Sequence, residues 1–115
     1  MSYEISPHKT FLVEAKRLKK RYHGFNDDLE NFKESLQENP FQGTELYPGI
    51  RKIRMSITSK GRGKSGSARV ITANDVIIAE HKGRIALLTI YDKSDASTVD
   101  VKIIRQMAQE IGFDV

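Results

Sequence analysis

Cysteine is absent from the 115 residues, which removes disulfides, thiolate zinc sites and cysteine nucleophiles together and fits a reducing compartment. Histidine is scarce: His8, His23 and His81 lie in unrelated segments. Neither a two-histidine ribonuclease mechanism nor a histidine metal site has support, so no metal and no cofactor is expected. No apolar run approaches the length of a membrane span, and the opening MSYEISPHKT is too polar for a signal peptide. The expectation is a cytoplasmic protein without a membrane partner. Repeats and low-complexity tracts are also missing.

Negative charge is missing over one long stretch. From Leu46 to Asn74 there is no acidic residue, while Arg51, Lys52, Arg54, Lys60, Arg62, Lys64 and Arg69 supply seven positive charges. The whole chain carries a net charge of only +4 and a pI near 9.4, so the charge is segregated. The segment before it is acidic, with Asp27, Asp28, Glu30, Glu34 and Glu38 against Lys33. One basic and one acidic face follow.

What is present supports a packed core: 38% hydrophobic and 30% charged residues in a chain of common domain length predict a single domain over residues 1–115. Ser6-Pro7 reads as a helix start, followed by Phe11, Ala15, Leu18 and Tyr22 at helical spacing and ended by Gly24. Asn26 caps a second helix with Leu29, Phe32 and Leu36 on one side, stopped by Pro40. So short a connection implies a helical hairpin. FQGTELYPG reads as a loop. Ile53, Met55 and Ile57 then alternate with Lys52, Arg54, Ser56 and Thr58, the period of a strand with one apolar face. Ala68–Ile71 resumes strand character, Asn74-Asp75 marks a bulge or break, HKGR is a turn, and RIALLTIY is the central strand. A last helix begins near Ser97-Thr98 and presents Val101, Ile104, Ala108 and Ile111 before Gly112. The class is α+β: an N-terminal helical hairpin and a C-terminal helix on one face of a curved antiparallel sheet of three to four strands.

The stretch KIRMSITSKGRGKSGSARVI places a cationic loop rich in Gly and Ser between two strands. Its GRGKSG lacks both the full spacing of a nucleotide-binding loop and a following helix, so a grip on a polynucleotide backbone fits it better. Taken with LLTIYDKS and the closing helix, the set Leu46, Gly49, Arg51-Lys52-Ile53-Arg54, the Gly/Lys loop and Ala68-Arg69-Val70 resembles the RelE/ParE superfamily of type II toxin–antitoxin toxins, in its HigB-like branch. The resemblance covers about Tyr3 to Ile111. It implies a toxin that cleaves messenger RNA on the ribosome and so inhibits translation, with a cognate antitoxin, the ribosome and mRNA as partners. A non-nucleolytic member of the same fold, a gyrase-type target binder or a decayed toxin, is the alternative.

Metal-free RNA cleavage proceeds when the 2′-OH attacks the neighbouring phosphate. It needs a base, an acid for the leaving 5′-oxygen, and positive charge against the developing dianion. The resemblance implies a cleft on the open sheet face with Lys52, Arg54 and Arg69 as catalytic cations, Arg69 clamping the scissile phosphate. Tyr91, Asp92 and Lys93 are the candidates for proton transfer or base stacking. Arg51, Lys60, Arg62 and Lys64 are the candidate RNA-binding residues. Plainer readings stand beside these: a solvated face for Lys52 and Arg54, an ion pair of Arg69 with Asp75 or Asp92, and packing for Tyr91. Lys16, Arg17, Lys19, Lys20 and Arg21 read as the wet side of the first helix, with ribosomal RNA contact as a secondary role.

Overall fold

A computed structural model of the protein describes residues 2–60, 66–95 and 98–115. Among the described residues three helices and five strands make an open, mixed α+β sheet. In chain order they are β1 (Glu4–Pro7), α1 (Lys9–Arg21), α2 (Phe25–Glu38), β2 (Thr44–Tyr47), β3 (Ile50–Ser56), β4 (Ser67–Ile77), β5 (Lys82–Asp92) and α3 (Val101–Glu110). The sheet order is β1-β5-β4-β3-β2, with β1 parallel to β5 and the other pairs antiparallel. None of the described helices is long and apolar enough to cross a membrane.

The structure departs from the sequence expectations in several places. The sheet is mixed and five-stranded where the sequence predicts an antiparallel sheet of three to four strands, because two short edge strands add to it. Gly24 at φ 78° caps the second helix and Asn26 lies inside it, and the last helix starts at Val101 behind an Asp100 cap. Ser6-Pro7 does not open a helix but ends strand β1; the cap falls on His8, whose ring Nδ1 accepts the Thr10 N–H at 3.0 Å. An edge strand of four residues is too short to announce itself by periodicity. FQGTELYPG contains β2, which pairs with only the first residues of β3. Asn74-Asp75 neither bulges nor breaks β4, which runs unbroken past both. Finally, the helices do not share one face. Phe11, Ala15 and Leu18 of α1 and Phe25, Phe32 and Leu36 of α2 pack with Ile53, Met55, Ile57, Val70, Ile85, Leu87 and Ile90, while Ile104 and Ala108 of α3 pack with Ile50, Ile71, Ala73, Ala86 and Leu88.

The irregularity that matters lies on β5. Ile71 pairs with Thr89 and Thr72 with Leu87, so Leu88 has no partner on β4. An extra residue on one strand reverses the in–out alternation beyond it. Leu87 and Ile90 consequently both face α1 and α2, and Tyr91 turns to the α3 side. Asp92, one residue on, falls on the helical-pair side.

Tight closure of the β4–β5 connection rests on Gly83, at φ 130°, where a Cβ would run into the Asp75 carbonyl oxygen. His81 ahead of it adopts φ 49° and stacks on Tyr3 at 4.5 Å between ring centroids. Two of the three histidines are thus engaged within the fold, at the α1 cap and in this stack.

Candidate functional site

Alternation along β3 sends Ile53, Met55 and Ile57 into the core under α1 and α2, and so sends Lys52 and Arg54 to the other face. In the register with β4, Arg54 stands opposite Arg69, and in the register of β4 with β5, Arg69 stands opposite Tyr91. Directly opposed residues of an antiparallel pair share a face with Cβ atoms about 5 Å apart, where like charges destabilise the sheet. Arg54 and Arg69 face each other this way, and among the described residues no carboxylate comes within ion-pair distance of either, or of Lys52. The ion pairs weighed for Arg69 with Asp75 or Asp92 do not form. Its Nη1 instead donates to Ser67 Oγ at 2.7 Å and to the Ala68 carbonyl at 3.3 Å, which holds the guanidinium near the strand.

Lys52, Arg54 and Arg69 line a cavity of about 390 Å³ together with Ile53, Gln42, Gly43 and Thr44. The volume falls in the range of small-molecule sites, and its lining holds three cations and no acid. Gln42, Gly43 and Thr44 were missing from the sequence reading. The signal was the glycine: Gly43 sits at φ 75°, and a Cβ there would strike the Lys52 carbonyl oxygen, so only glycine lets this wall approach β3. Arg51 maintains the wall. It lies on the opposite face from Lys52 and Arg54, with Nε donating to the Gln42 carbonyl at 2.7 Å and Nη2 to that of Gly43 at 3.0 Å. Its donors are directed to the backbone and, at 4.0 Å, to the Glu45 carboxylate, whereas the sequence assigned it to RNA.

No protein-family model matches the chain. The chemistry of the site therefore rests on its own geometry.

Tyr91 reaches the row from β5, packed against the α3-side core. Its hydroxyl is buried and has no hydrogen-bond partner among the described residues. Burial pushes its pKa up, against the lowering effect of the Arg69 charge. At neutral pH the phenol keeps its proton, so Tyr91 does not serve as a base there.

Asp92 does not join the row. It is 1% exposed on the side of the helical pair, where it accepts hydrogen bonds from Lys60 Nζ at 2.6 Å, the Ser94 N–H at 3.0 Å and the Tyr22 hydroxyl. Burial opposes its ionisation, but the bonds from Lys60, Tyr22 and Ser94 outweigh it and hold the carboxyl well below the usual carboxylate range. Lys60, assigned to RNA by sequence, is 13% exposed, with its ammonium committed to this carboxylate. Lys93 is exposed in the turn after β5. Arg62 and Lys64 lie outside the described residues.

A folded-state pKa below the unfolded value of about 3.9 means that Asp92 stabilises the fold fully above that value and loses the contribution as pH falls below it. The wild-type melting temperature is expected to drop more steeply between about pH 5 and pH 2 than that of Asp92→Asn, as followed by circular dichroism at stepped pH. Parallel profiles would mean that Asp92 is not held as a carboxylate by these partners.

Proposed function

We propose that the protein is an endoribonuclease of the toxin–antitoxin kind, cleaving messenger RNA on the ribosome through the row formed by Lys52, Arg54, Arg69 and Tyr91. The observation that supports this reading is the cross-strand pair Arg54–Arg69, two like charges set opposite each other with no neutralising acid. Local rules broken in this way are expected at functional sites, and a bound anion relieves the repulsion. A phosphodiester is such a ligand. In the reaction the 2′-OH gives its proton to solvent as the 2′-oxygen bonds to phosphorus, the bond from phosphorus to the 5′-oxygen breaks, and the products are a 2′,3′-cyclic phosphate and a 5′-hydroxyl. The guanidiniums oppose the charge that accumulates on the non-bridging oxygens, and the protonated Tyr91 supplies the proton for the departing 5′-oxygen.

In this reading a cognate antitoxin masks the basic surface by charge complementarity. The non-nucleolytic alternative is favoured by one observation: Asp92, one of three proton-transfer candidates, is sequestered on the far side of the sheet.

The deciding experiment is single-turnover cleavage of mRNA on programmed ribosomes in the presence of a chelator. Cleavage with a cyclic-phosphate end is the expected result; ribosome binding without any cut would transfer the protein to the target-binding reading. Independently, single-stranded RNA should bind with a log–log salt slope of about −2 or steeper, as phosphate contacts by the three cavity cations require. A filter-binding titration over several salt concentrations measures it, and a flat response would remove the cationic cavity from the argument.

A further inference from the structure

Tyr22, Lys60 and Asp92 form a buried polar cluster that the cleavage chemistry does not use. Asp92 Oδ1 accepts from Lys60 and from the Ser94 N–H, while Oδ2 accepts from the Tyr22 hydroxyl and, at 3.4 Å, from Arg21. The partners come from three places: the end of α1, the 3-10 turn Thr58–Lys60 after β3, and the turn after β5. The same 3-10 turn is pinned at its other end by Asp28 of α2, whose two carboxylate oxygens accept the Thr58 N–H at 3.0 Å and the Thr58 hydroxyl at 2.6 Å.

The cluster sits at one particular rung of the sheet. Ala68–Asp92 is the last pair of the β4–β5 ladder, and Arg69–Tyr91 is the pair before it. Ladder ends open at the lowest free-energy cost, so an unanchored β5 would fray into the proposed site. It could also slip. A shift of one residue after the unpaired Leu88 would exchange the faces of Tyr91 and Asp92, sinking the phenol under the helices and setting a carboxylate beside Arg69. That carboxylate would neutralise the cation meant for phosphate. A buried ion pair is a poor source of net stability, and its best-attested use is to fix register.

We infer that Asp92, held by Lys60 and Tyr22, is a positioning residue that keeps Tyr91 on the cationic face and its own carboxylate off Arg69. This rests on the reading of that row as the RNA-cleaving site. Asp92 touches neither substrate nor reacting atoms; it acts through the rung next to it.

The test uses full-length Asp92→Asn, Lys60→Met and Tyr22→Phe, each with a melting curve, in the single-turnover ribosome assay and in amide hydrogen exchange. Each folded variant is expected to lose roughly tenfold or more in maximal rate, since small misplacements of reacting groups cost up to about 10²-fold. The half-saturating ribosome concentration should move by less than about twofold, because Lys52, Arg54 and Arg69 remain and still bind. The Arg69 and Tyr91 amides should exchange faster than in wild type. The Asp92→Asn/Lys60→Met double variant should cost about as much as either single one, as members of one cluster do. Wild-type maximal rates and wild-type exchange at those amides, with only a lowered melting temperature, would overturn the inference and leave the cluster a purely structural one. Should wild-type protein cleave no RNA, the proposed function falls separately, and the exchange comparison alone decides: faster exchange at Arg69 and Tyr91 supports the positioning role, and unchanged exchange overturns it.

Discussion

Arg69→Ala is expected to slow single-turnover mRNA cleavage by roughly two to three decades, the usual cost of deleting one preorganised group that meets transition-state charge. Arg69 occupies the middle of the row, opposite Arg54 on one side and Tyr91 on the other, so a phosphate held by both guanidiniums sits one strand away from Tyr91. Its position is set by bonds to Ser67 Oγ and the Ala68 carbonyl, which orient the fork. Charge on the phosphate grows in the transition state, so the loss falls on the maximal rate more than on binding. Stability should change little, because the substitution also removes the Arg54–Arg69 repulsion. Melting temperature and cleavage rate measured on the same preparation decide it. A folded variant that cuts at the wild-type rate would show that the row is not the active site.

The second large effect is expected from Tyr91→Phe. The ring stays packed against the α3-side core, and the hydroxyl it loses is buried without a partner among the described residues, so no internal hydrogen bond is broken. Stability should hold or rise slightly. A general acid, by contrast, contributes about 10²–10⁴ in rate, and this phenol carries its proton at neutral pH. A loss of that size with unchanged RNA affinity assigns Tyr91 as the proton donor. An unchanged rate reduces it to packing and leaves Lys93 as the remaining candidate of the three beyond β5, since Asp92 is sequestered.

Much of this arrangement was legible in residue order. The period of two in KIRMSIT placed Lys52 and Arg54 on one face and Ile53, Met55 and Ile57 on the other because side-chain alternation belongs to a single strand and needs no partner. The helical spacing of Phe11, Ala15 and Leu18, and of Ile104 and Ala108, marked the buried stripes that the structure contains for the same local reason. The acid-free stretch from Leu46 to Asn74 foretold a site lining without carboxylates. Pairing between strands was not legible, because it depends on contacts distant in sequence. Only the tertiary structure set Arg54 opposite Arg69, joined β1 in parallel to β5, and placed α3 on the face away from α1 and α2. It also decided which of two adjacent residues shares the face of Lys52, Arg54 and Arg69. A bulge is a property of two strands together, and the unpaired Leu88 turned Tyr91 toward the cations and Asp92 toward Lys60.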